Sequence, residues 1–150
     1  MPVYRAGFNG KAGTNSANKI IANLWSATRK CRIREVSCFI QTVQTTAPLF
    51  ALQRSTARGT QSTSLTPIAD DPGEIAATAV LDTAWSVDPT FSTSNPQIVV
   101  GAVALAAGNG FVWNFDGSLE IAIAAGLALF NVNATGATPG TYAGHFVYEE

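Results

Sequence analysis

Apolar and polar positions alternate with a period of two along most of the chain. The runs are short, filled by β-branched, aromatic and small side chains, and separated by clusters of Gly, Pro, Asn, Asp, Ser and Thr. A period of two sends successive side chains to opposite faces of an extended strand. The pattern predicts strands over residues 3–8, 19–28, 32–42, 49–54, 75–84, 97–106, 111–115, 119–124, 127–133 and 141–149. No segment joins a helix cap to a sustained i, i+3, i+4, i+7 stripe, so little or no long helix is expected. Short strands at this spacing indicate an all-β chain, a single antiparallel β-sandwich domain over 1–150.

The turn residues agree. Asp116-Gly117 lies between two strand patterns and suits a type I′ hairpin, which needs φ > 0 at both central positions. Gly108-Asn109-Gly110 makes a second tight connection, Ala125-Gly126 bends or ends a strand, and Asn9-Gly10 and Pro139-Gly140 punctuate the chain. Two polar loops, 55–69 and 86–96, are long. Such loops are either solvated or ordered by a partner. Residues 98–107 and 121–130 are apolar on both faces. A strand with one wet face alternates with polar residues, so both segments are expected to be covered by a loop, a second layer or another subunit. That is the sequence argument for an oligomer.

Composition narrows the classes. The chain is 47% apolar and 13% charged, against about 25% charged in an average globular protein. Net charge is −1, so no overall field draws nucleic acid or an anionic membrane. The longest apolar stretches are well short of the roughly 20 residues of a membrane-spanning helix. Met1-Pro2-Val3-Tyr4-Arg5 lacks the basic-then-apolar layout of a secretory signal, and the expectation is a chain made in the cytoplasm.

The placement of charge says more. All nine basic residues, Arg5, Lys11, Lys19, Arg29, Lys30, Arg32, Arg34, Arg54 and Arg58, precede position 59, with Glu35 as the one acid among them. The remaining acids, Asp70, Asp71, Glu74, Asp82, Asp88, Asp116, Glu120, Glu149 and Glu150, all follow. Three readings are open. The halves interleave in one fold and pair their charges; or the basic flank of one molecule meets the acidic flank of the next; or the basic segment binds nucleic acid. The last is the weakest, because no aromatic residues are regularly interleaved with the basic ones.

Motifs for chemistry are sparse. His145 is the only histidine, and no G-x-S-x-G elbow accompanies it, so it reads as a packing or interface residue. Cys31 and Cys38 are seven apart. On a continuous strand they face opposite ways, about 23 Å apart, which excludes a bridge between them. Asp70-Asp71-Pro72-Gly73-Glu74 reads as an acidic turn, with calcium as the alternative, although EF-hand spacing is missing. Asp82 with Asp88, or Asp116 with Glu120, are formal glycosidase pairs that nothing singles out. Asn133-Ala134-Thr135 is a chance sequon. Trp25, Trp85 and Trp113 suit a core or interface first and a sugar-binding face second. No catalytic residue, cofactor or metal site is expected.

Several stretches resemble a known family. Arg32-Ile33-Arg34-Glu35-Val36 opens a long strand. Pro48-Leu49-Phe50-Ala51-Leu52-Gln53-Arg54-Ser55-Thr56-Ala57-Arg58-Gly59-Thr60 follows, then Leu65-Thr66-Pro67 and Asp70-Asp71-Pro72. Gly110-Phe111-Val112-Trp113, Gly126-Leu127-Ala128-Leu129 and Gly140-Thr141-Tyr142-Ala143-Gly144-His145-Phe146-Val147-Tyr148-Glu149-Glu150 complete the series. Together they resemble the small jelly-roll cement or decoration proteins of tailed-phage virions. The resemblance implies a jelly roll, a homotrimer, and a place on the capsid surface over the joints between major capsid proteins. No catalytic motif comes with it. The contact residues expected on this reading are the basic set Arg29, Lys30, Arg32, Arg34, Arg54 and Arg58, with Asp70, Asp71, Glu149 and Glu150 as counterparts. The alternative is a carbohydrate- or receptor-binding jelly-roll module of a phage tail or fibre, carried by the tryptophans and the long loops.

Overall fold

The computed structural model describes residues 1–12, 20–43, 45–91, 97–134 and 140–150. Lys19, Thr135, Pro139 and residues 92–96, on which parts of the strand, sequon, turn and loop expectations fall, lie outside them. The described residues form strands and no helix: β1 (Val3–Ala12), β2 (Ile20–Ser26), β3 (Cys31–Ile40), β4 (Leu49–Ala57), β5 (Thr60–Leu65), β6 (Ile68–Ala69), β7 (Val80–Val87), β8 (Thr90–Phe91), β9 (Val99–Ala102), β10 (Gly110–Ile121), β11 (Ala125–Asn131) and β12 (Thr141–Glu149). One sheet, here sheet A, has the order β10-β3-β12-β1-β6. The other, sheet B, has the order β5-β7-β2-β11-β4-β8, with β9 also on β4. All pairings are antiparallel, and the two sheets pack as a sandwich, compatible with a jelly roll.

The inward positions of both sheets make one core. Tyr4, Phe50, Tyr142, Phe146 and Tyr148 are its largest buried side chains, joined by Ile21, Leu24, Ile33, Leu52, Leu81, Leu127 and Leu129. Tyr4 stacks on Tyr148 with ring centroids 5.5 Å apart, and Phe50 meets Tyr142 edge-on at 5.4 Å. Each buried side chain of this size contributes about 1.5–3 kcal/mol by leaving water. This burial, not any single polar bond, holds the sheets together.

Several expectations are corrected, two of them by a local irregularity, and the strand expected from 75 begins only at Val80. Asp116-Gly117 does not turn a hairpin. Residues 110–114 and 119–121 both pair with β3, and the chain between them bulges out of the ladder. Gly117 takes φ 85° within that bulge, a conformation that costs glycine little. The two cysteines do not face opposite ways. Both β10 and β12 skip Arg34, pairing Glu35 and then Ile33 with successive ladder positions. The extra residue resets the alternation, so Cys31 and Cys38 both point into the core. Finally, the polar segment after position 55 is not all loop: β4 runs on to Ala57, and Thr60–Leu65 forms edge strand β5 on β7.

The two doubly apolar segments differ in outcome. In the segment 121–130, Ala122, Ile123 and Ala124 are exposed in the β10–β11 turn, while Gly126–Asn131 of β11 is buried throughout. Its outer face is covered within the chain by a small second cluster of Ala51, Ala128 and Phe130, with Phe91 and Val132 packed on it. In the other segment Val103 packs against the core, but the residues that follow it are not covered. Strand β9 ends at Ala102, and Ala102, Ala104, Leu105, Ala106 and Ala107 are exposed.

Candidate functional site

The charge asymmetry of the sequence resolves into a ladder across the outer face of sheet A. Alternation from the core residues Ile33 and Tyr148 places Arg32 and Glu149 outward, and Glu120, opposite Arg32 on β10, joins them. Arg32 Nε lies 3.0 Å from Glu120 Oε1. Arg34, displaced outward by the bulge, reaches Glu149 Oε1 at 2.6 Å and the Asp116 carbonyl at 3.2 Å. At the far side of the sheet, Arg5 holds Asp70 with two bonds of 2.7 and 3.0 Å. The hydrogen bond to Asp70 raises the Arg5 guanidinium above its ordinary value.

Beside this ladder lies a group that the sequence did not reveal. His145 on β12 is directly opposite Ser37 on β3, with Glu35 two residues before Ser37 on the same face. The His145 Nε2 bonds Glu35 Oε1, Nδ1 lies 2.9 Å from Ser37 Oγ, and the His145 main-chain N–H donates to that same Oγ at 3.1 Å. The ring thus bridges the Glu35 carboxylate and the Ser37 hydroxyl, one through each ring nitrogen. Ser37 is fully buried and bonded twice to one residue. Its hydroxyl is thereby held as a clasp between β3 and β12, and it lacks the exposure of a nucleophile. The i, i+2 spacing of Glu35 and Ser37 was visible in the sequence, but their meeting with His145 depends on the register of β12.

On sheet B the chemistry is the same and the surroundings are not. Asp82 on β7 has no exposed surface. Arg58 grips it with two 2.7 Å bonds, and Ser64 Oγ donates to it at 2.6 Å. The bonds to Asp82 raise the Arg58 guanidinium. Asn23 opposes Asp82 on the next strand and accepts from Ser55 Oγ at 2.9 Å across β11. Gly126 makes that crossing feasible, since a Cβ there would lie 2.3 Å from Ser55 Oγ.

Each arginine–carboxylate pair among the described residues thus joins the basic first part of the chain to the acidic remainder. Of the ten contact residues expected from the sequence, Arg32, Arg34, Arg58, Asp70 and Glu149 are engaged in these pairs. Arg54 donates to the Glu120 carbonyl. Glu150 is buried, and its carboxylate accepts from the main-chain N–H groups of Thr78 and Ala79 and from the Thr78 hydroxyl. Asp71 accepts from the Gly73 N–H in its own turn, at 2.9 Å. Arg29 and Lys30, exposed in the β2–β3 turn, have no ion pair among the described residues. Nor do the described residues hold a group of three or more His, Cys, Asp or Glu side chains placed to bind a metal ion.

The tryptophans do not share one face. Trp113 packs on Phe111 with centroids 3.7 Å apart and lies against Gly101, while Trp25 and Trp85 belong to β2 and β7 in the other sheet. Exposed apolar side chains are scattered over the surface, Met1, Ile68, Ile75, Val87 and Ile123 among them, and one continuous run of them, residues 104–107, lies at one end of the sandwich. The segment 102–107 is anchored there by Val103 N–H to the Pro48 carbonyl and by Gly108 N–H to the Ile40 carbonyl. Val43, between those two anchors, is 72% exposed, and Leu105 is 39% exposed. Arg29 and Lys30 mark the other end of β3. Comparison with family models, with curated proteins and with solved structures finds no match.

Proposed function

We propose that this chain is a structural virion protein, a cement or decoration protein that binds the exterior of a tailed-phage capsid as a homotrimer and stabilises contacts between major capsid proteins. The family resemblance of its strand and turn motifs supports the reading. The observation that carries it is the apolar tip formed by the exposed run 104–107, on a sandwich whose exposed arginine–carboxylate ladder is neutralised within the chain. A contiguous exposed apolar surface marks an interaction site more often than scattered apolar residues do. A β-sandwich that docks by such a tip adds buried area at the joints of a shell, and binding the assembled state stabilises it by mass action. Arg29 and Lys30, without an ion pair among the described residues, suit an acidic neighbour at the other end.

The test is co-sedimentation of the purified chain with capsids lacking accessory proteins, together with its mass by light scattering. A trimer that binds capsids and raises their heat resistance supports the reading. Leu105→Asp should abolish binding and leave the chain folded. A monomer that neither binds nor protects capsids sinks it.

A further inference from the structure

The sequence holds two Asn-Gly pairs among the described residues, Asn9-Gly10 and Asn109-Gly110, and the structure treats them differently. Gln41 clamps the first. Its Oε1 accepts the Gly10 N–H at 2.7 Å, and its Nε2 donates to Asn9 Oδ1 at 2.5 Å. The nitrogen that must attack in a cyclisation is therefore already bonded, and the Asn9 amide is held in place.

At the second pair neither is bonded among the described residues. Asn109 is exposed in the connection before β10. The Gly108 N–H bonds the Ile40 carbonyl and the Ile40 N–H bonds the Asn109 carbonyl, at 2.7 and 2.8 Å. Hydrogen-bonded and open pairs alternate along an antiparallel ladder. Ile40 with Asn109 is bonded, so the next pair, Phe39 with Gly110, is open, and the Gly110 N–H points away from β3. The Cys38 carbonyl lies on the Cα side of Gly110, as an open pair requires. Strand β10 forms the border of its sheet, with no strand on that other side.

We propose that Asn109 is a site of spontaneous covalent modification, deamidation through a succinimide, and that Gln41 protects Asn9 from the same reaction. The Gly110 nitrogen attacks Asn109 Cγ, forming the N–Cγ bond. The Cγ–Nδ2 bond breaks, and the amide nitrogen leaves as ammonia, taking up the proton lost from the Gly110 nitrogen. Water then opens the ring at either carbonyl, giving aspartate or isoaspartate. No oxidant or cofactor is involved. The product carries a new negative charge, and as isoaspartate an extra main-chain methylene, at the base of the apolar tip, where the Asn109 N–H also bonds the Ala106 carbonyl. The inference rests on hydrogen bonds alone and is independent of the capsid reading.

The experiment incubates the full folded chain in mildly alkaline buffer and follows both peptides by mass spectrometry, with the same chain in urea as control. Asn109 should convert with time. Asn9 should convert about tenfold more slowly, since the Gly10 N–H must first leave Gln41 and the held Asn9 side chain must turn onto that nitrogen. In urea the two rates should converge, and Gln41→Ala should bring Asn9 towards the rate of Asn109 in the folded chain. An Asn109 protected in the folded chain, or an Asn9 converting as fast as Asn109 in the wild type, overturns the proposal. An Asn9 as slow in the folded Gln41→Ala chain as in the wild type overturns the role given to Gln41.

Discussion

The outer face of sheet A and the outer face of sheet B both carry arginine–carboxylate pairs, but the pairs have different physical weight. On sheet A, Arg5, Arg32 and Arg34 stand in solvent, and each bond trades hydration for a contact of similar strength. On sheet B, Asp82 is fully enclosed and depends on Arg58 and Ser64 for every bond noted above. Enclosing a charge costs several kcal/mol unless its partners remain in place. The same residue types therefore set surface character on one sheet and folding stability on the other, and burial decides which.

The sharpest break of this comparison is Arg58→Leu. It leaves Asp82 buried without its counter-ion and should cost about 3–5 kcal/mol in urea unfolding at neutral pH. The double variant Arg58→Leu with Asp82→Leu should recover most of that loss, because the penalty belongs to the unpaired charge. A single variant as stable as the wild type would show that Asp82 is not enclosed. Next comes Glu150→Ala. The N–H groups of Thr78 and Ala79 would lose their acceptor, at a cost of about 2–3 kcal/mol, measured the same way.

How much of this was legible in the sequence follows from parity. The period-two pattern located the central strands and the sandwich, because one buried face imposes alternation on β1, β3 and β12. It failed wherever a single residue breaks parity. Arg34 is such a residue: nothing in Arg32-Ile33-Arg34-Glu35 marks it as the inserted one, yet its insertion turns both cysteines inward and sends its own side chain to Glu149. The 55–69 segment misled for another reason. Ser, Thr and Gln suit an exposed edge strand as well as a loop, and only pairing with β7 separates the two. The charge split was plain, and one of its three readings, interleaving within one fold, matches the pairs observed. Which arginine meets which acid depends on register, and so does the meeting of Glu35, Ser37 and His145.

The core adds a pH dependence that does not depend on either outer face. Burial pushes the Cys31 thiol up to about 12, and raises Cys38, Tyr142 and Tyr148 as well. In the unfolded chain thiols ionise near about 8.5. Above that pH the folded state binds more protons than the unfolded state, so stability must fall as pH rises. The loss begins near the unfolded thiol value and continues until Cys31 itself ionises. At pH 10 Cys31 alone should account for about 2 kcal/mol. Urea midpoints at neutral and alkaline pH measure the slope, and Cys31→Ala should flatten it. A slope unchanged in that variant would place the alkaline sensitivity elsewhere.

The smallest effect on stability is expected on sheet A. Arg32→Glu with Arg34→Glu replaces two exposed pairs by repulsion from Glu120 and Glu149, and should cost no more than about 1–2 kcal/mol at low salt. Ions screen exposed charges beyond about 10 Å at 0.1 M, so part of that loss should disappear as salt is added, whereas the Arg58→Leu loss should hardly change. If the chain assembles as proposed and sheet A contacts a neighbour, the same double variant should lower the mass of the proposed trimer or its binding to capsids, and more so at low salt. Unchanged assembly would confine the ladder to solvent and leave the apolar tip, with Arg29 and Lys30, as the proposed docking surface. A charge reversal that is mild for folding and severe for assembly would instead make sheet A an interface, since only a second molecule can remove its arginines from water.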